Sequence, residues 1–474
     1  MRPMGQTSGG IGRVRRRLIG TLAAAAALLA LPASAQALGL SNLSAAPTET
    51  QAGAHSDFHV HMEFSSPGDQ VKDLTIGLPP GMVGDPNAAP LCTSAQLHGT
   101  GCPADTQVGE VSAVANIFSI PLPVTASGGL FNLEPHPGEP ARFGIVLTPL
   151  GLPLLPAIIL ESGVQLREDF GLNTIINDIP NTTNGLPTNI VSQDITLFGT
   201  VNGKPFMRNP TSCGTNTTTF SATSYSGSTS TTPATGSATF PTDSCANLDF
   251  SPSFSAFVAG ANTSMKTSVT TSIDQDLDEA GLVQARVAIP PDLNPDVQLL
   301  GNRCSPADFE ASICPPNSIM GSAVAASPLL SQPLAGNVVF VETGGTPDIG
   351  LDLQGQLHLL LRGSLGLDKV VVFDGLPDIP IAHFALTFPS APGLLIASRN
   401  LCVPPPPLFH ADFTGYNGAT TAVDSSATVQ GACGQNAATK CKKAKKKKHK
   451  RRAAEAKKKH KKKSCKKKKR KKKR

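Results

Sequence analysis

The chain contains no tryptophan and only two tyrosines, Tyr225 and Tyr416, among 474 residues. Exposed Trp or Tyr faces are what sugar-binding β folds stack on pyranose rings, so their scarcity lowers a lectin reading without removing it. No long stretch beyond the N-terminal segment repeats apolar residues with helical period. Runs able to cross a bilayer are missing too. Leu18–Leu31 has 14 residues against the roughly 20 that a spanning helix needs. Leu147–Leu160 carries Pro149, Pro153 and Pro156, which break a helix. Catalytic signatures are lacking: there is no G-x-S-x-G turn and no H-E-x-x-H helix. Acid pairs such as Glu168-Asp169 are adjacent and would diverge on a strand. A non-enzyme without a cofactor is expected; a hydrolase built from scattered residues is the lesser alternative.

Basic residues are scarce until the end of the chain. Residues 36–439 hold 11 Lys and Arg against 33 Asp and Glu, whereas 440–474 hold 25 against the single Glu455. The formal net charge of +7 therefore conceals an acidic body and a strongly basic tail. A block of like charges cannot collapse on itself, so 435–474 is expected to be disordered. It has no aromatic residues for base stacking.

The N-terminus reads as an export signal over 1–35. Arg13, Arg15, Arg16 and Arg17 precede the apolar run, Pro32 ends it, and Ala33-Ser34-Ala35 or Ala35-Gln36-Ala37 offers a cleavage site. After cleavage no membrane span remains, and the location expected is extracellular, at the cell surface. The 44 Gly and 41 Pro punctuate short alternating runs. Phe58–Phe64, Lys72–Leu78, Gln107–Val114, Lys266–Ser272, Gln284–Ile289, Val338–Val341 and Lys369–Phe373 are such runs. The fold class expected is all-β, with tandem disulfide-stapled β-sandwich, Ig-like, repeats.

Eight cysteines fall into two matched sets. Cys92 and Cys102 are ten apart, as are Cys304 and Cys314; Cys213–Cys245 and Cys402–Cys433 are 32 and 31 apart. Flanking residues agree: Cys102-Pro-Ala-Asp-Thr-Gln-Val-Gly109 parallels Cys314-Pro-Pro-Asn-Ser-Ile-Met-Gly321, Ala52-Gly-Ala54 parallels Ala259-Gly-Ala261, and Leu166-Arg167 parallels Leu361-Arg362. An internal repeat is expected, with copies over 36–249 and 250–434, each of one or two sub-domains. The simplest pairing common to both copies is 92–102, 213–245, 304–314 and 402–433. Each bridge is worth roughly 3 kcal/mol by loop entropy. Cys441 and Cys465 fall in the tail.

Leu78-Pro-Pro-Gly81, the Cys-Pro-x-x-[Ser/Thr]-x-x-Gly element, Pro347–Gly355 and Asn400-Leu-Cys402 together resemble secreted, repeat-containing proteins of high-GC Gram-positive actinobacteria, which often end in a Lys/Arg-rich tail. That resemblance covers most of the mature chain. It implies export and modularity, and it implies no activity and no site residues.

Two clusters have metal-ligand character. His59 and His61 share a strand face with Asp57, but no further ligand is evident and a solvent-facing strand edge is the expected role. Asp274, Asp276 and Asp278 set oxygens at alternate positions as calcium ligands do. Position six of an EF-hand loop would be Glu279 instead of Gly, so an acidic hairpin turn is expected there. The Ser/Thr-rich span 209–247 is read as two Thr-rich strands closed by the 213–245 bridge. The partners expected are anionic wall or surface polymers, held by 440–474, with no specific nucleic-acid role. Carbohydrate or calcium capture by the repeats is the alternative function.

Overall fold

Alternation with a period of two builds the molecule. In Phe58–Ser65 the side chains of Phe58, Val60, Met62 and Phe64 are buried, while His59, His61 and Glu63 stand on the opposite face. In Leu408–Gly415, Phe409, Ala411 and Phe413 are buried and His410 and Asp412 face outward. A computed structural model describes residues 38–430, apart from 66–68, 118–122, 153–155, 184, 227–231 and 261. The export signal, Cys433, Cys441, Cys465 and the basic tail lie outside the described residues.

The first half contributes eleven principal strands: β1 (Gly39–Pro47), β2 (Phe58–Ser65), β3 (Val71–Leu78), β4 (Gln107–Ile117), β5 (Val124–Leu133), β6 (Arg142–Pro149), β7 (Ile158–Leu166), β8 (Leu172–Ile176), β9 (Leu186–Leu197), β10 (Gly214–Ser224) and β11 (Ala234–Thr242). Eleven more follow in the second: β12 (Ser253–Ala259), β13 (Lys266–Asp274), β14 (Leu282–Ala288), β15 (Ile319–Ala326), β16 (Leu334–Val341), β17 (Asp348–Gln354), β18 (Leu359–Leu365), β19 (Val370–Asp374), β20 (His383–Phe388), β21 (Leu408–Gly415) and β22 (Thr420–Ser426). The Thr-rich span forms β10 and β11, paired from Gly214↔Thr242 to Ala222↔Ala234.

Both halves follow one strand order. The first runs β1-β2-β9-β4-β5-β6-β7-β8-β3-β10-β11. The second runs β12-β13-β20-β15-β16-β17-β18-β19-β14-β21-β22, the same order shifted by eleven. Neighbours along each path are antiparallel. Each sheet rolls over so that its ends meet. Phe58 on β2 packs edge-on against Phe240 on β11, with ring centroids 5.7 Å apart. In the second half the segment 428–430, just after β22, pairs in parallel with β12 from Phe257↔Thr428 to Ala259↔Gln430. Each half thus has one main core between the two walls of its own roll.

The Cys-Pro element has a structural reason in both halves. A short helix α1 (Ser94–His98), capped by Thr93, follows Cys92; α2 (Pro306–Glu310), capped by Ser305, follows Cys304. Leu97 and Phe309 pack onto the outer face of the sheet beside the bridged cysteines. The hydroxyl at the Ser/Thr position is buried and donates to the proline carbonyl three residues back, Thr106 to Pro103 at 2.6 Å and Ser318 to Pro315 at 2.7 Å. The closing glycine permits close strand approach. A Cβ on Gly109 would lie 2.3 Å from the Thr196 carbonyl, and one on Gly321 would lie 2.2 Å from that of Thr387. Each cysteine loop is also stitched to the sheet: Cys92 and Cys304 form single parallel bridges to Leu133 and Val341.

Three of the expected disulfides are present, 92–102, 213–245 and 304–314, with Cα–Cα distances of 5.6, 5.7 and 5.2 Å. Cys402 is also disulfide-bonded. One sequence correspondence and one expected hairpin are corrected. Leu166-Arg167 stands at the β7–β8 turn, where Arg167 N–H donates to the Gly171 carbonyl. Leu361-Arg362 instead lies within β18, opposite Leu351 and Gly350; the equivalent turn bond runs from Gly366 to Val370. The 274–281 segment is not a hairpin. β13 pairs with β12 and β20 while β14 pairs with β19 and β21, so this segment crosses from one wall of the roll to the other.

The double substitution Cys304→Ala/Cys314→Ala should lower unfolding free energy by about 3 kcal/mol, measured by denaturant melts under non-reducing conditions. An unchanged midpoint would mean that α2 and Phe309 hold the loop without the bond.

Candidate functional site

The histidine and aspartate candidates do not converge. β2 lies between β1 and β9, so His59 and His61 sit on the outer face of an interior strand and not at an edge. His59 Nδ1 is 2.9 Å from Thr196 Oγ1, and His61 Nδ1 is 2.7 Å from Asp194 Oδ1. Asp57 is used elsewhere, accepting from Gly199 N–H at 2.7 Å. Asp194 and Thr196 line an open polar groove shared with Glu110 and Ser112. In the second half Asp274 pairs with His383 Nδ1 at 2.6 Å. Asp276 is exposed, and the Asp278 side chain is 93% exposed, 3.9 Å from His55 Nε2. Glu279 turns inward and accepts from Ser251 N–H at 3.1 Å. Among the described residues no group of three or more His, Cys, Asp or Glu is placed to hold a metal ion.

A Ser–His–Asp grouping appears where the sequence shows no motif. Ser312, which follows α2 with φ of 56°, lies 3.0 Å from His358 Nε2, and the same nitrogen lies 2.9 Å from Asp352 Oδ1. A catalytic triad needs the carboxylate on one ring nitrogen and the hydroxyl on the other. Here one nitrogen serves both. If its N–H donates to Asp352, no lone pair is left to take the Ser312 proton. The arrangement ties the α2 loop to β17, and in this geometry His358 is not placed between the serine and the carboxylate as a catalytic base would be.

The seam between the halves holds two buried titratable groups with perturbed electrostatics. It is formed by 207–211, just ahead of Cys213, against 278–281 and 376–378. Gly281 N–H donates to Thr211 Oγ1 at 2.9 Å, and that hydroxyl donates to the Asp378 carboxylate, which also accepts Thr211 N–H at 2.7 Å. Arg208 donates to the Glu279 carbonyl. Arg208 and Asp378 are both only 4% exposed. Burial pushes the Asp378 carboxyl above its ordinary range, opposed by the two Thr211 hydrogen bonds and the Arg208 charge. Burial likewise draws Arg208 below its usual value, opposed by Asp378 and Asp278. Further along the seam Asn87 Nδ2 donates to Pro328 O at 2.5 Å and Gln356 Nε2 to Pro140 O at 3.0 Å.

An apolar cavity of about 130 Å³ lies inside the second roll, walled by residues such as Val269, Leu282, Leu351, Leu361, Phe384 and Leu386. A second, of about 90 Å³, lies at the seam between Val164 and Leu172 of the first half and Leu329 and Leu357 of the second. Leu330, Leu334, Leu359, Pro377 and Ile379 line both. Sequence reasoning missed the cavity because every inward position reads as ordinary core. It could have found Asp378, a lone acid inside the apolar stretch Leu376-Pro377-Asp378-Ile379-Pro380.

No family model matches the chain, and no curated protein matches it. Among solved structures it is similar to "Putative membrane anchored protein from Corynebacterium diphtheriae", at 10% identity, over 83% of this chain and 95% of that one, with a TM-score of 0.19. At that score nothing is drawn from the likeness. No helix among the described residues is long and apolar enough to cross a membrane.

Two outcomes follow. A serine-reactive fluorophosphonate should leave Ser312 unlabelled by mass spectrometry, since its hydroxyl lacks a free base; stoichiometric labelling would contradict this geometry. A carboxyl whose folded pKa is raised holds its proton to higher pH than the unfolded chain does. Its stabilising contribution is thus largest in acid and is lost as pH rises through the folded value. The stability of the native protein relative to Asp378→Asn should accordingly fall as pH rises from about 4, in melts across pH. A difference that rises with pH would contradict the assignment.

Proposed function

We propose that this chain is a non-catalytic protein of the extracellular surface or matrix, in which two copies of one β unit are displayed by an electrostatic C-terminal attachment. The two copies would span about 36–249 and 250–434. The observation that carries the reading is charge segregation: 25 Lys and Arg against one acid in 440–474, and 33 acids against 11 basic residues in 36–439. The shared strand order and the repeated Cys-Pro element support a duplicated module. Disulfides in both halves favour an oxidising compartment, which fits the apolar N-terminal segment read as an export signal.

Outside the cell the polyanions on offer are wall polymers, acidic polysaccharides and anionic lipid heads. Near an anionic membrane each Lys or Arg contributes at most about 1 kcal/mol. Even partial engagement of the tail is therefore strong at low salt and weakens as salt rises. The acidic body would be repelled by the same polymers and held away from them, which suits display.

Washing intact cells with increasing salt tests this. The whole protein should elute as ionic strength rises, and a chain truncated after residue 439 should accumulate in the medium. Equal retention of both forms would overturn electrostatic attachment.

A further inference from the structure

The attachment reading leaves the apolar cavity of the second roll unexplained. Of its lining residues only Thr271, Gln275 and Ser327 are polar, and none is charged. The Gln275 amide is already committed, donating to the Ala280 carbonyl at 2.5 Å. A buried water needs two to four polar partners, and apolar cavities of this size stay dry. Ile273, Val287, Leu359, Leu361 and Phe384 point into the roll yet are only half-buried. Their remaining apolar surface faces the cavity, and covering it is favourable.

The arrangement of the cavities selects the ligand. The cavity and the one at the seam lie side by side, with Ser327, Leu330, Leu334, Leu359, Pro377 and Ile379 lining both. A compact ring would fill one chamber. A linear chain that parts these side chains would occupy both. An engineered cavity of about 150 Å³ takes benzene; on that scale cavities of about 130 and 90 Å³ hold an alkyl segment of roughly eight carbons. We propose that the second β unit binds the alkyl chain of an extracellular lipid or fatty acid, entering at the seam and ending inside the roll. This site is separate from the basic tail and does not depend on the attachment reading.

The test uses the full chain and an uncharged linear probe, n-octanol, followed by isothermal titration calorimetry. Working in about 0.5 M NaCl suppresses tail electrostatics. Binding should be saturable at one site. Affinity along the n-alcohol series should strengthen about three- to fourfold per added methylene and level off at roughly eight carbons. Ala285→Leu and Ala325→Phe, which fill the cavity from different walls, should each weaken binding at least about tenfold while thermal melts show a folded protein. Non-saturable uptake, no dependence on chain length, or full affinity in both folded variants would overturn the proposal. The wild-type chain-length profile decides the matter even where a variant does not fold. Transfer of a fluorescent acyl lipid out of phosphatidylcholine vesicles would assign a membrane lipid as the source. Displacement by decanoic acid without such transfer would assign a free fatty acid.

Discussion

An eleven-strand antiparallel sheet left open would present two rows of unpaired backbone groups and one bare apolar face, and the whole structure follows from how these are closed. Each half rolls until its first strand meets its last. In the first half Leu43 of β1 sits over Gly236 of β11, where a Cβ would lie 2.3 Å from the leucine. The same closure brings Gln51 and Asp243 into a parallel bridge. In the second half the short strand 428–430 completes the ring along β12. Closure turns the apolar faces onto each other and makes the core. It also fixes where covering is still needed: β16 is buried on both faces, with Val339 and Val341 under Phe309 and the Cys304–Cys314 loop.

Once edges and apolar faces are consumed, what remains outside is acidic and largely self-paired. Surface histidines are matched to carboxylates, as in His61–Asp194, His383–Asp274 and His410–Asp424. His410 is held above its ordinary value by its hydrogen bond to Asp424 and by the Asp412 charge. Such a surface has little to offer another polyanion, which leaves the proposed contact to the basic tail. The two halves meet through a small buried polar seam and an apolar one, and the apolar seam shares lining residues such as Leu330 and Leu359 with the interior of the second roll.

Much of the fold was legible. Strands such as 58–65 and 107–117 announce themselves by alternation, and matched cysteine spacings marked three bridges that the structure contains. The roll itself was not legible, because strand order depends on which distant edges meet: β9 inserts between β2 and β4, although β5 to β8 intervene between β4 and β9 along the chain. The same blindness made 274–281 look like a hairpin. Alternating acids between two strands read alike whether those strands pair or face each other. The candidate site was the least legible part. Ser312, His358 and Asp352 are brought together by tertiary packing alone, and the cavity depends on how well opposing walls fill the space between them.

In the proposed function the tail alone attaches, and the rolled body is inert toward polyanions. Hydrogen exchange across 38–430, with and without poly(glycerol phosphate) at low salt, tests that division most directly. The protein should bind the polymer while amide protection throughout β1–β22 stays unchanged. Altered protection on the outer faces of either sheet would place the contact on the body and contradict the account.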